Sequence, residues 1–203
     1  GLAGKVGAVV ALDPRTGAVL AMATSPSYDP TVLSSHQPSK IRDAYGRLVD
    51  DPLDPLVNRA VERTYPPGST FKLITTAAAL AAGYTPDRRI PSPTVLDLPG
   101  TTADLGNFGG ERCGNGRTTT LADALRISCN TAYGGLGLAL GDAKLRAQAE
   151  AFGFGSSGLR LPQRVATSVF PDDLTRAQVA QSAIGQQQPA RFVGAVERGD
   201  GAL

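Results

Sequence analysis

The sequence predicts an α+β fold, helices packed against one face of an antiparallel sheet, and three observations carry that expectation. Two short valine-rich runs close to the start are separated by turn residues, the pattern of a hairpin. Later segments rich in Ala and Leu carry helix start and stop residues. These helical segments form a cluster between distant strand signals, the arrangement of an α+β domain.

Taken in order, Val6–Leu12 and Ala18–Ala23 are the hairpin strands, joined by Asp13-Pro14-Arg15-Thr16-Gly17. From Thr24 to about Pro67 the chain carries Pro26, Pro30, Pro38, Pro52 and Pro55, so an irregular excursion is expected there. Its lone histidine, His36, lies among Ser, Gln and Pro and reads as a surface-loop residue, not an acid or base. Ser69–Ala82 is the best-marked helix, entered through Pro66-Pro67-Gly68 and stopped by Gly83. Pro86–Arg117 reads as a long loop or small strands. Helical patterns return at Thr119–Ile127, Thr131–Leu140, Ala143–Phe152 and about Pro171–Ile184. Only two strands are well marked, and two strands alone are a marginal sheet, so further strands are expected from elsewhere in the protein.

Composition narrows the function classes. At 203 residues, 41% hydrophobic and 19% charged, the chain can bury one or two modest cores and is not disordered by composition. A net charge of +2 with no basic tract gives nucleic acid no electrostatic footprint. No run of 18 apolar residues occurs, and nothing at Gly1 resembles a signal peptide. Cys113 and Cys129 are too few for a disulfide framework and lack zinc spacing, and no cofactor or metal motif is present. Two readings of the pair stay open. A bridge would be worth about 3 kcal/mol in the chain-entropy model, and the other reading is two reduced thiols with Cys129 buried.

The chemistry concentrates at Ser69-Thr70-Phe71-Lys72 and Ser128-Cys129-Asn130. Ser69 would stand in the first helical turn, where backbone N–H groups lack partners and the helix dipole favours developing negative charge. Lys72, three residues on, shares its face. A lysine near pKa 10.4 cannot act as a base, but burial beside Phe71, Leu73 and Ile74 would disfavour its charged form and let it deprotonate a serine. Taken singly the motifs are weak: a chain with this many serines and lysines shows a Ser-x-x-Lys by chance roughly one time in four. Ser69, Ser128 and Asn130 also suit helix caps. Order and setting raise the joint weight: Pro-Pro-Gly before the serine, an apolar helix after the lysine, and Ser-x-Asn between two helices 59 residues later.

The run Asn58-Arg59-Ala60 leading to Tyr65-Pro66-Pro67-Gly68-Ser69-Thr70-Phe71-Lys72 resembles the transpeptidase domain of class B penicillin-binding proteins. So do Ala8–Met22, the loop Pro26-Ser27-Tyr28-Asp29-Pro30, the run Ser128-Cys129-Asn130-Thr131-Ala132, and Ser182-Ala183-Ile184-Gly185-Gln186. The similarity spans residues 6–186, and Ser-x-x-Lys is a signature of this enzyme group. The resemblance implies the penicillin-binding protein/serine β-lactamase-like fold for residues 1–186, incomplete at its C-terminal end. Residues 187–203 form a divergent tail, in which Ala190–Val196 is a candidate displaced strand.

The same resemblance implies that Ser69 is the acyl-accepting nucleophile, Lys72 its base, Ser128 a proton relay and Asn130 the holder of the substrate's peptide amide. The implied reaction is peptidoglycan D,D-transpeptidation of stem peptides ending in D-Ala-D-Ala, with β-lactams as covalent inhibitors and cell-wall synthesis proteins as partners. The implied location is the extracytoplasmic face of the membrane, with the anchor outside this chain. That compartment favours the Cys113–Cys129 bridge, which would tether the Gly-rich loop to the Ser128 turn. Rival readings are a serine β-lactamase or penicilloyl sensor, and a non-catalytic scaffold fragment.

One element departs from the pattern. The family carries a later strand with Lys-Thr-Gly, whereas no lysine follows Lys144 here, and Arg15-Thr16-Gly17 reads as the hairpin turn. Truncation, internal deletion and sequence error all remain open. Without the oxyanion donor and carboxylate clamp of that strand, this chain alone is expected to acylate slowly.

Overall fold

The computed structural model describes residues 2, 4–157 and 161–186 and the backbone of 192–193. They divide into two compact units, one from residues 4–65 with 161–166, the other from residues 66–157 with 167–186.

The first unit opens with strands β1 (Gly7–Leu12) and β2 (Val19–Ser25), paired antiparallel from Gly7↔Ser25 to Ala11↔Ala21 with an irregularity before Leu12. Arg15-Thr16-Gly17 forms the turn between them. The Asp13 carboxylate accepts from Arg15 N (2.8 Å), the Asp13 carbonyl from Gly17 N (2.8 Å), and Gly17 takes the left-handed φ of +72° that closes the hairpin.

The stretch from Thr24 to Pro67 is more ordered than its prolines suggest. A 12-residue helix, α1 (Pro38–Val49), begins at Pro38. Proline at the first helical position costs no hydrogen bond and has the helical φ already, so Pro38 starts the helix instead of breaking it. Of its side chains only Ala44 is buried, which leaves little apolar periodicity to read.

Next comes α2 (Arg59–Glu62), where Asn58 accepts from Ala60 N (3.1 Å) and Glu62 accepts from Asn58 N (2.9 Å). Arg59 is buried; its guanidinium donates to the carbonyls of Asp54 (3.0 Å) and Leu53, replacing its lost hydration with the turn's own acceptors. The Asn58-Arg59-Ala60 run is thus a folding device that packs α2 onto the hairpin, aided by Arg59 N donating to Thr24 Oγ1 (3.2 Å). A two-residue strand, β3 (Thr64–Tyr65), closes the unit.

The second unit is mainly helical. Gly68–Phe71 makes a 3-10 turn that runs directly into α3 (Lys72–Ala81). The segment expected to be loop or small strands holds β4 (Arg89–Pro91), β5 (Val95–Asp97) and β6 (Asp104–Gly106), followed by β7 (Thr118–Thr120). β4 pairs with β7 and β5 with β6, both antiparallel. The strand pairs described are thus all two-stranded, and this unit's core is built mainly by helices: α3 with α4 (Leu121–Arg126), α5 (Asn130–Leu140), α6 (Asp142–Ala151) and α7 (Arg176–Ser182). The helix expected from Pro171 starts five residues later, because the Thr175 hydroxyl accepts from Gln178 N and the Gln178 side chain accepts from Thr175 N, a capping box. Of the tail 187–203, only the two-residue strand β8 (Phe192–Val193) lies within the described residues.

The core gathers Phe71, Tyr133, Leu121, Leu145 and Ile184, all nearly inaccessible to solvent. Phe71 stacks on Phe170 and meets Phe154 edge-on, both at 5.7 Å between centroids, so the residue between Ser69 and Lys72 anchors the start of α3. Helices α5 and α7 approach at backbone distance: a Cβ on Gly137 would lie 2.4 Å from Ala183 Cβ and 3.2 Å from the Val179 carbonyl. That closeness fixes the Ser182–Gln186 run against the helix that begins at Asn130.

Candidate active site

All four residues singled out from the sequence lie in the second unit and meet at one atom, Lys72 Nζ. Lys72 is the first residue of α3 and its side chain is buried, whereas Ser69, one turn earlier, is exposed. The Lys72 ammonium lies 3.1 Å from Ser69 Oγ, 2.9 Å from Ser128 Oγ, 2.7 Å from the Ser128 carbonyl and 2.6 Å from Asn130 Oδ1. Ser128 Oγ is in turn 3.0 Å from Ser69 Oγ, so the two hydroxyls and the amine form a closed triangle.

The local backbone explains this convergence. Ser128 has φ +57°, uncommon for a residue with a side chain, between α4 and α5. Its N–H donates to the Leu125 carbonyl (3.0 Å) and that of Cys129 to the Ala124 carbonyl (2.9 Å), which ends α4 and over-determines the left-handed turn. In this conformation both the carbonyl and the hydroxyl of Ser128 face the lysine. Asn130 is the first residue of α5; with Oδ1 on Lys72, its Nδ2 donates to the Gly106 carbonyl (3.2 Å). On the opposite side, Gly185, at φ +72°, accepts from Gly68 N (3.1 Å), and a Cβ there would lie 2.1 Å from the Gly68 carbonyl. Thr75 Oγ1 donates to the Ala183 carbonyl (2.8 Å). The Ser-Ala-Ile-Gly-Gln run therefore backs the turn that carries Ser69.

The electrostatics follow from burial. Among the described residues no carboxylate lies within ion-pair distance of Lys72, and its four hydrogen-bond partners are uncharged. The Tyr133 ring, 5.8 Å from Nζ, adds to the low-polarity wall, and burial raises that residue's own pKa. Desolvation without a compensating negative charge pushes the Lys72 pKa down from 10.5 to about 8.

Counting donors and acceptors then assigns the protons. The Ser128 carbonyl and Asn130 Oδ1 can only accept, so they consume two N–H bonds of Lys72 whatever its charge. The remaining tetrahedral position faces the two hydroxyls. In the ammonium it carries an N–H; in the free amine it carries the lone pair that can take a hydroxyl proton.

Cys113 and Cys129 are joined by a disulfide, both sulfurs in the core, which ties the loop after β6 to the residue between Ser128 and Asn130. His36 is exposed in the first unit. No group of three His, Cys, Asp or Glu residues is placed to hold a metal among the described residues. Two contributors to the geometry carried no sequence signal. The Gly106 carbonyl is a backbone atom and invisible in residue types. Asn107 accepts from Thr131 N (3.1 Å) from within a loop whose Asn and Gly residues suggest only a turn.

The model of the penicillin-binding protein transpeptidase domain matches residues 7–197 of the 203. The chain belongs to the penicillin-binding protein transpeptidase family. Peptidoglycan D,D-transpeptidase PbpA of Mycolicibacterium smegmatis is 49% identical over 184 residues, covering 91% of this chain and 38% of that protein. MrdA of Escherichia coli, also a peptidoglycan D,D-transpeptidase, is 37% identical over 155 residues, 76% of this chain and 24% of its own length.

Among solved structures, penicillin-binding protein A from M. tuberculosis as an imipenem acyl-enzyme complex superposes with a TM-score of 0.88 at 46% identity, covering 95% of this chain and 44% of that one. The penicillin G acyl-enzyme complex of the same protein gives the same values. This family member shares their fold, and the chain spans well under half the length of these relatives.

Proposed function

We propose that the protein containing this chain is a peptidoglycan D,D-transpeptidase that works through a serine acyl-enzyme. The carrying observation is the buried Lys72, which has no ion-pair partner among the described residues and whose free valence faces Ser69 Oγ and Ser128 Oγ. Ser69 Oγ attacks the carbonyl of the penultimate D-Ala while its proton passes to Lys72 Nζ. Lys72 then returns a proton through Ser128 Oγ to the departing D-Ala amine, which leaves neutral. An amine from a second stem peptide attacks the ester and releases Ser69 as the crosslink forms. Asn130, its oxygen held by Lys72, keeps an N–H for the substrate's amide carbonyl. A β-lactam enters by the same first step, but its leaving amine stays tethered in the acyl-enzyme.

Penicillin-binding protein A from M. tuberculosis forms acyl-enzymes with imipenem, ceftriaxone and penicillin G, and PbpA of Mycolicibacterium smegmatis is a peptidoglycan D,D-transpeptidase. Both support this reading over a β-lactamase or a non-catalytic fragment. The extracytoplasmic face of the membrane follows from the substrate; among the described residues no helix is long and apolar enough to cross a membrane. Residues 1–186 are the transpeptidase portion under this reading, which in the family is completed by a Lys-Thr-Gly strand.

The test is incubation of the full-length protein and of this segment with a fluorescent penicillin, with the adduct mapped by mass spectrometry. Labelling of the full-length protein at Ser69, abolished by Ser69→Ala, is expected. The segment alone should label at least ~10²-fold more slowly, since an oxyanion donor is worth about that much. Hydrolytic turnover of the β-lactam would instead favour a lactamase.

A further inference from the structure

Resting on the acyl-transfer reading above, we propose that Asn107 is the positioning residue for Asn130, holding through it the Lys72 amine against the two serine hydroxyls. Asn107 follows β6 directly and is half-buried. Its Oδ1 accepts from the backbone N–H of Thr131 (3.1 Å), and its Nδ2 donates to the Glu111 carbonyl (2.9 Å) and lies 3.4 Å from Thr131 Oγ1.

Thr131 N is among the first N–H groups of α5, which have no acceptor within the helix, so Asn107 acts as an N-terminal cap supplied from a distant loop. The N-cap residue of α5, Cys129, makes no side-chain cap of its own because its sulfur is committed to Cys113. The cap that Ser, Thr, Asp or Asn would supply from the sequence itself is therefore delegated to residue 107.

The register makes this more than a cap. Gly106 and Asn107 face Asn130 and Thr131 as two consecutive pairs: Asn130 Nδ2 donates to the Gly106 carbonyl (3.2 Å) while Thr131 N donates to Asn107 Oδ1. Each bond holds the loop and the start of α5 in place for the other. The Asn130 amide is held at both ends, its oxygen by Lys72 (2.6 Å) and its nitrogen by the Gly106 carbonyl; without that carbonyl only the bond to Lys72 opposes rotation about its last bond. With Asn107 truncated, the Gly106 carbonyl loses its register against α5, Asn130 loses its fixed orientation, and Lys72 loses one of the two obligate acceptors that point its free valence at the hydroxyls. The disulfide ties the same loop six residues further on, from Cys113, so the loop as a whole stays attached and the damage is confined to geometry.

The experiment measures acylation of the full-length protein by a fluorescent penicillin, separating the first-order acylation constant k2 from the initial binding constant, together with the fraction of protein labelled and the melting temperature. Asn107→Ala is expected to lower k2 about 10- to 100-fold, the scale of a small misplacement of catalytic groups, with the labelled fraction still near one. Asn107→Asp keeps the acceptor for Thr131 N at a helix N-terminus and should return k2 to within about threefold of wild type. Thr131→Val, which removes only the hydroxyl facing Asn107, carries the test should Asn107→Ala not fold, with k2 falling about threefold, the scale of one hydrogen bond.

A merely structural role would lower the melting temperature and the labelled fraction while leaving k2 of the folded protein unchanged, and that result overturns the inference. Wild-type k2 in both Asn107→Ala and Thr131→Val overturns it as well. If the wild-type protein itself does not label at Ser69, the acyl-transfer reading fails and this inference falls with it. Labelling of wild type with an unaffected Asn107→Ala sinks the inference alone.

Discussion

The lowered pKa of Lys72 makes a quantitative prediction about pH. With a pKa near 8, about one lysine in ten is the free amine at pH 7 and about nine in ten at pH 9; at the ordinary 10.5 the fraction at pH 7 would be about one in 3,000. If the free amine takes the Ser69 proton, acylation by a β-lactam must rise roughly tenfold between pH 7 and pH 9 and then level off. The rise reports the free enzyme when the second-order constant is followed, so stopped-flow acylation of the full-length protein by a chromogenic cephalosporin, under substrate-limited conditions, is the assay.

Lys72→Arg should abolish the titrating limb altogether, because a guanidinium stays charged throughout, and should cost ~10² to 10⁴ in rate, the usual worth of a general base. A profile flat from pH 7 to pH 9 would refute the reasoning. So would one that climbs tenfold per unit to pH 10 with no plateau, because burial would then have failed to lower the pKa.

Gly185→Ala forces a side chain into a φ of +72° and places its Cβ 2.1 Å from the Gly68 carbonyl; we expect a loss of about 2–4 kcal/mol in a denaturant melt and strongly impaired labelling of Ser69. Gly137→Ala, although alanine is the better helix former, should destabilise by about 1–3 kcal/mol because its Cβ would meet Ala183 at 2.4 Å; a stabilised protein in thermal unfolding would contradict the α5–α7 contact. Replacing both Cys113 and Cys129 by serine removes a cross-link spanning 16 residues and should cost about 3 kcal/mol, read as a lowered denaturant midpoint. Reductant should lower the midpoint of the wild type similarly and leave that of the double variant unchanged.

The proposed catalytic constellation is legible because its residue types fall at short spacing. Ser69 and Lys72 share a helix start, and Ser128 and Asn130 flank a helix break, so each pair is local and the structure adds only their convergence. The Pro-Pro-Gly entry and the α3 helix followed from backbone preferences that tertiary packing did not override. Where the sequence misled, the cause was also local. Prolines in 24–67 suggest breaks, yet Pro38 occupies the first helical position, where a missing N–H costs nothing. The start of α7 was misplaced because a capping box outranks the apolar pattern that precedes it. What could not be read were contacts made by backbone atoms or by loops across long separations: the Gly106 carbonyl, the Asn107 cap and the approach of Gly137 to Ala183. Residue types carry no record of which carbonyl a distant amide will find.

The surroundings of Lys72 also explain why an ion pair would serve this site badly. A carboxylate beside the amine would hold the proton on nitrogen and restore the pKa toward its ordinary value. Neutral acceptors do something different: the Ser128 carbonyl and Asn130 Oδ1 fix two of the three substituent directions around Nζ without adding a negative charge. Direction is thereby supplied by dipoles and basicity by desolvation, two effects that oppose each other only weakly. The left-handed turn at Ser128 is what makes the combination feasible, since one residue then contributes both an obligate acceptor at 2.7 Å and a hydroxyl at 2.9 Å to the same nitrogen. A residue that relaxed to negative φ would turn that carbonyl or that hydroxyl away, leaving the lysine either unaimed or without the relay that the proposed mechanism gives it.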